Sequence, residues 1–192
     1  VIYSVSFQKF EEWMIEEDWR SIEAALLSCL ESLSAAGADF AVIATNTMHI
    51  VFDELREQSP IPLISIIETT AEAVEREGMS RVGLLGTRFT MEKPFYREGL
   101  ERHGIEVLVP EKADRDYINR VVFEELSRGI LRPESRRGFL EIIEELMRGG
   151  AQGIVLGCTE IPLLVTPEHT SVKLFDTATL HAEKALEYAI QH

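Results

Sequence analysis

Cys158, one of only two cysteines in the chain, stands in the stretch GIVLGCTEIPLL, where an apolar run ends and Pro162 opens the next segment. Proline suits the first turn of a helix, so the thiol is expected beside a helix N-terminus. Free N–H groups and the helix dipole favour a thiolate there, lowering a pKa that is about 8.5 in a free thiol. Such a group takes up and returns protons near neutral pH. The other role open to a cysteine is that of a small apolar filler, the role expected of Cys29 inside an amphipathic helical pattern.

A second polar constellation is ATNTMH, residues 44–49. Asn46 and Thr47 carry amide and hydroxyl groups suited to a carboxylate, and Thr159 offers a hydroxyl next to Cys158. At two helix starts such groups would hold a carboxylate by charge-assisted hydrogen bonds. Helix capping accounts for any one of them singly. His49 lies four residues beyond Thr45 and faces the same cleft if the helix starts early; otherwise it is a surface or internally satisfied histidine.

The elements that position these residues are legible from hydrophobic periodicity. Short runs rich in Val, Ile and Leu at 1–5, 40–44, 61–66, 81–86, 105–109, 153–157 and 172–176 are expected as strands. Helices are expected over 21–36, 68–77, 91–103, 114–128, 134–148 and 178–190. Glycines 37, 78 and 104 stand where helices stop, and Pro133 where one starts. Alternation of this kind predicts an α/β fold with parallel sheets.

An internal repeat sharpens the picture. A shift of 113 positions lays Leu26, Leu27, Leu30 and Leu33 on Phe139, Leu140, Ile143 and Leu146, Gly37-Ala38 on Gly150-Ala151, and residues 40–44 on 153–157. The next pair is Thr45 and Cys158. Two helix–strand units thus end in a small polar residue at the same point, where ligands bind open α/β sheets. This predicts one site shared by two pseudo-symmetric lobes.

Composition narrows the partners. The 192 residues include 45% hydrophobic side chains, enough for a real core, and 33 acidic against 19 basic residues give a net charge of -14. No stretch gathers Lys and Arg, so nucleic acid and anionic membranes are not expected partners. Apolar runs fall far short of the roughly 20 residues of a spanning helix, and two thiols with no charged-then-apolar leader fit the cytoplasm. No G-x-G-x-x-G or Walker loop occurs, and the GLLG at 83–86 reads as a strand end. The five histidines and two cysteines are scattered, so no metal site is expected.

The motifs TNTMH and GCTEI, with RVGLLGTRFTM at 81–91, VVFEEL at 121–126 and LFDTATLHAE at 174–183, resemble the cofactor-independent aspartate/glutamate racemase family. The similarity is greatest to its bacterial L-aspartate/glutamate-specific branch, also described as broad-specificity amino-acid racemases. This resemblance implies two similar α/β lobes around a cleft, no pyridoxal phosphate, an amino-acid substrate and a homodimer. It also implies that the final helix returns to the first lobe, giving lobe 1 as 1–78 plus 177–192 and lobe 2 as 79–176. In the family two cysteines act on opposite faces of the substrate Cα; Cys158 matches one, and Thr45 stands at the other position. A hydroxyl is a far weaker acid than a thiol, so slow or direction-biased turnover is expected. By resemblance Asn46, Thr47 and Thr159 bind the α-carboxylate or ammonium, and Thr87 contributes from the second lobe.

Two departures accompany the resemblance. The family's first strand, its Gly-Gly-Met type loop and the following helix have no counterpart, so Val1 is expected at the second strand and an upstream segment is expected to be missing. The basic residue that recognises a side-chain carboxylate has only Lys9 and Arg88 as candidates. His181 is expected at a lobe contact or the cleft edge. Two other functions stay open: an arylmalonate-decarboxylase-like enzyme, whose chemistry needs a single cysteine, and a carboxylate-binding protein without turnover.

Overall fold

The computed structural model describes residues 1–191. In chain order the elements are α1 (Phe7–Ile15), α2 (Trp19–Ala35), β1 (Ala41–Val42), α3 (Phe52–Gln58), β2 (Leu63–Ile64), α4 (Ile66–Arg76), β3 (Arg81–Gly86), α5 (Arg88–Glu92), α6 (Pro94–Glu101) and β4 (Glu106–Leu108). They continue as α7 (Lys112–Glu124), α8 (Pro133–Arg148), β5 (Gly153–Gly157), α9 (Ile161–Leu164), β6 (Leu174–Asp176) and α10 (Thr177–Gln191). A 3-10 turn over Thr47–Val51 leads into α3. All strand pairs are parallel: β1 with β2 in one sheet, and the order β4-β3-β5-β6 in the other.

The larger sheet is covered on both faces, which is why its strands read as unbroken apolar runs. Val82, Leu84, Val155 and Phe175 pack with α4 and α6 on one side. Leu85, Ile154 and Leu156 pack with α7, α8 and α9 on the other. Around the small sheet, α1, α2 and α3 enclose Ile22, Leu26, Leu30, Ile43 and Leu55. Full burial of an aliphatic side chain such as Ile22 or Leu55 contributes roughly 1.5–3 kcal/mol.

The repeat is visible in the helix ends. Ala38 N–H donates to Leu33 O at 3.1 Å and Gly37 N–H to Ser34 O at 2.9 Å; Ala151 N–H donates to Leu146 O at 3.0 Å and Gly150 N–H to Met147 O at 3.0 Å. Both are Schellman closures, and they require the left-handed glycines found there, with φ of 84° at Gly37 and 99° at Gly150. Each delivers the chain into the strand that precedes Thr45 or Cys158.

Several expected elements are revised. Residues 1–5 form no strand: Val1 and Ile2 are almost fully exposed, because no neighbouring strand takes up their backbone groups. The strand expected over 40–44 shrinks to Ala41–Val42, which has a partner on one side only. The helix expected over 91–103 is two helices, since Pro94 lacks the N–H that would continue α5 and instead starts α6. Helix α1 had no counterpart among the expected elements, and the helix start expected after Thr45 is the 3-10 turn that leads into α3.

Gly86 and Gly157 sit opposite one another at the ends of β3 and β5. A Cβ on Gly157 would lie 2.9 Å from Leu84 Cδ1, 3.0 Å from Thr90 Cγ2 and 3.1 Å from the Leu85 carbonyl oxygen. The side chains could shift, but the carbonyl belongs to the paired strand. Gly157→Ala is therefore expected to lower stability by about 1–3 kcal/mol, read as an earlier urea midpoint; an unchanged midpoint would contradict this packing.

Candidate active site

A cavity of about 1010 Å³ runs along β1 to the carboxyl ends of β3 and β5, and its walls include Thr45, Asn46, Thr47, Thr87, Cys158 and Thr159. All six residues named from sequence thus share one cavity. Its two sides touch through hydroxyls, Thr47 Oγ1 lying 3.3 Å from Thr87 Oγ1, which in turn lies 3.2 Å from Thr90 Oγ1. Thr87 also caps α5 by accepting from Thr90 N–H.

Cys158 follows β5 and packs, 6% exposed, among Leu85, Leu156 and Ile161. Its thiol donates to Glu160 Oε2 at 3.0 Å, and the Thr159 hydroxyl donates to the same oxygen at 3.0 Å. The expected lowering of the thiol pKa is reversed. Burial pushes it well above the ordinary value, the Glu160 carboxylate adds to the rise, and the backbone N–H groups of Glu160 and Ile161 only partly oppose it. The helix that follows spans four residues, too short for a strong dipole. Burial and the nearby charge both favour the protonated thiol, which donates to the Glu160 carboxylate.

On the other wall Thr45 is half-buried, and its hydroxyl has no hydrogen-bond partner among the described residues. Its backbone is held at both ends, the N–H by Ile43 O at 2.8 Å and the carbonyl by His49 Nδ1 at 2.9 Å. Asn46, 3% exposed, donates through Nδ2 to Thr177 Oγ1 at 3.0 Å. The Thr177 hydroxyl spends its proton on Leu156 O at 2.9 Å, so the amide nitrogen must be the group facing it. Asn46 Oδ1 is therefore a buried acceptor without a donor, and such an atom costs about 1–3 kcal/mol until something donates to it.

Residues 2–185 match the model of the Asp/Glu/Hydantoin racemase family. The chain belongs to this family. A Yersinia pestis protein provisionally described as an Asp/Glu racemase superposes with a TM-score of 0.92 at 43% identity, over 99% of this chain and 83% of that one. The chain is 30% identical to the glutamate racemase of Aquifex aeolicus over 138 residues, 71% of its own length. It spans about half of that relative, 52%. It is 21% identical over 189 residues to RacX of Bacillus subtilis, named a broad specificity amino-acid racemase, covering 97% of this chain and 79% of RacX. The two groups of parallel strands are the two-lobe architecture of the Asp/Glu racemase structures.

The two basic candidates lie away from this cavity. Lys9 sits over the Trp13 ring at 4.6 Å, and Arg88 pairs with Asp116 at 3.0 Å. Neither lines the cavity, where the charged side chains among the described residues are Asp39 and Glu160. Each cation has found a partner on its own surface, an aromatic face or a carboxylate, that its position in sequence did not reveal. Cys29 is half-buried on α2 and lines the cavity, and burial pushes its thiol upward.

His49 is a satisfied internal histidine. Its Nδ1–H donates to Thr45 O, its Nε2 accepts from Ile66 N–H at 3.0 Å, and its ring stacks on Phe52. His181 on α10 donates from Nε2 to Ile64 O at 2.8 Å, tying the last helix to β2. Burial, with the nearby His181, pushes the pKa of His49 down to about 3, and burial lowers that of His181 as well. Both bind fewer protons folded than unfolded, so the stability they confer is complete above the ordinary histidine value and drains away as pH falls below it, over about 6.5 to 3 for His49. The melting temperature should fall over that window, with His49 accounting for up to about 1.4 kcal/mol of stability per pH unit, and His49→Gln should flatten the slope. A slope unchanged by His49→Gln would contradict the assignment.

Two residues escaped the sequence reading. Thr177 bridges Asn46 to the end of β5, and its signals were its place directly after an expected strand and within LFDTATLHAE. Glu160 was visible in GCTEI, but nothing in the string says that its carboxylate folds back onto Cys158.

Proposed function

We propose that the chain is an amino-acid racemase working without a cofactor, with Cys158 serving one face of the substrate Cα and Thr45 the other. The observation that carries the reading is the meeting of these two repeat-related residues in one cavity beside the orphan acceptor Asn46 Oδ1. A substrate ammonium is the donor that this oxygen lacks. Hydroxyls of Thr47 and Thr87 are placed to donate to the α-carboxylate, at the point where the two lobes touch. Withdrawal of the Cα proton leaves the electron pair in the enediolate of that carboxylate. Return from the same face restores the substrate, and delivery from the opposite face inverts it.

With the carboxylates of Asp39 and Glu160 and no Lys, Arg or His side chain among the described lining residues, and with Phe10, Met14, Leu30 and Phe89 on the walls, the cavity suits an uncharged side chain better than that of aspartate or glutamate. Incubation with L-glutamate, L-aspartate and a series of neutral L-amino acids, followed by chiral chromatography, tests the reading. The D-enantiomer of at least one neutral amino acid is expected; no inversion of any would contradict it. The unpartnered Thr45 hydroxyl favours one second reading, a single-cysteine decarboxylase, which would instead release carbon dioxide from an arylmalonate.

A further inference from the structure

We infer that Thr177 decides which end of the Asn46 amide a ligand meets, and so selects carboxylates that carry an ammonium group on Cα over the same carboxylates without one. This rests on the racemase reading and adds to it a residue that sets specificity from outside the cavity. Thr177 is fully buried and is not among the residues that line the cavity walls.

A threonine at the start of a helix commonly caps it. Here the preceding residue does so: Asp176 Oδ1 accepts from Ala178 N–H at 3.1 Å and from Thr179 N–H at 3.3 Å, and Asp176 Oδ2 accepts from the Thr179 hydroxyl at 2.7 Å. The Thr177 hydroxyl is thereby released from capping and turns inward, donating its single proton to Leu156 O at 2.9 Å. An oxygen whose proton is committed can only accept, and Asn46 Nδ2, 3.0 Å away, donates to it. The reversed amide would set two acceptors against each other with no proton between them, in a place without water to relieve them.

The frame around this contact is fixed on both sides. Leu156 lies on β5, two residues before Cys158, and is paired with Asp176 of β6. His181, one turn along α10 on the same face as Thr177, holds that helix to β2 through Ile64 O at 2.8 Å. Asn46 Oδ1 therefore faces away from Thr177 whatever else borders the cleft. An acceptor at that point pairs with an ammonium and repels a carboxylate; the reversed amide would do the opposite. The polarity beside Thr45 is thus set by a residue 131 positions further along the chain. An arylmalonate, which has no ammonium to offer, is disfavoured by the same contact.

Thr177 acts through Asn46 and is a positioning residue. Thr177→Val keeps the shape and removes the hydroxyl, whereas Thr177→Ser keeps the hydroxyl. Isothermal titration calorimetry compares L-norleucine with hexanoate and L-phenylalanine with hydrocinnamate, pairs that differ in the ammonium alone. The wild type should bind the amino acid of at least one pair about tenfold or more tightly than its counterpart. Thr177→Val should bring the two to within about threefold, by weakening the amino acid and sparing the plain carboxylate, and Thr177→Ser should restore the wild-type ratio. A preference unchanged in Thr177→Val would overturn the proposal, as would one lost equally in Thr177→Ser. A further measurement needs no variant. Asn46 and Asn119 are the only asparagines in the sequence, so isotopic labelling of asparagine nitrogen gives two side-chain amide groups to assign. In the wild type a nuclear Overhauser contact is expected between the Asn46 amide protons and the Thr177 methyl group, and its absence would contradict the orientation. Binding of neither pair by the wild type would sink the reading of the site as one for neutral amino acids. The Overhauser contact would then still decide whether Thr177 holds the amide.

Discussion

Cys158→Ala is expected to abolish both Cα–H exchange and inversion, by about 10³-fold or more, for every amino acid that the wild-type chain turns over. The thiol donates to the Glu160 carboxylate, and alanine leaves no group in its place to take up or return a proton. The fold should survive. Cys158 packs as a small side chain against Leu85, Leu156 and Ile161, and the loss of one sulfur atom is a modest change in volume. An unchanged circular dichroism spectrum with lost exchange is the expected pair of results, and exchange surviving in Cys158→Ala would refute the assignment of the thiol.

Thr45→Ala is expected to separate the two activities. Inversion should be lost, by about 100-fold or more, while exchange with retention on the Cys158 face continues. The backbone at this position is fixed by Ile43 O and His49 Nδ1, neither of which touches the hydroxyl, so alanine alters the chemistry and leaves the chain path alone. Proton NMR and chiral chromatography on the same samples read the two rates. Equal loss of both would assign Thr45 to substrate binding.

The halves of this molecule were legible from sequence to different degrees. Strands β3 and β5 are buried on both faces, and continuous apolar runs mark such strands well. The helix closures at Gly37 and Gly150 were equally plain, because the left-handed turn selects glycine. Those two features carried the repeat, and the repeat placed Thr45 and Cys158 in one cavity. The apolar run at 1–5 misled, since a strand needs a neighbour to bond with and composition does not say whether one is present. Helix α1 and the 3-10 turn before α3 pack through tertiary contacts around Phe10, Met14 and Phe52 that no short window reveals.

In the site, residue types were readable and couplings were not. A proline after GCTE led to the expectation of an acidic thiol, yet burial and the Glu160 carboxylate outweigh a one-turn helix. Asn46 was legible as a polar group for the substrate. That its nitrogen is held by Thr177, leaving the buried oxygen unpaired, depends on a contact spanning 131 residues. Lys9 and Arg88 show the same limit from the other side, since a basic residue in sequence carries no sign of the partner that will occupy it.

The most direct test is proton NMR in deuterium oxide, following the Cα–H signal of neutral L-amino acids, L-glutamate and L-aspartate in the presence of the wild-type chain and of Cys158→Ala. The signal of at least one neutral amino acid should decay with the wild type and persist with Cys158→Ala. Persistence of every signal with the wild type, or decay with both proteins, would contradict proton transfer by Cys158.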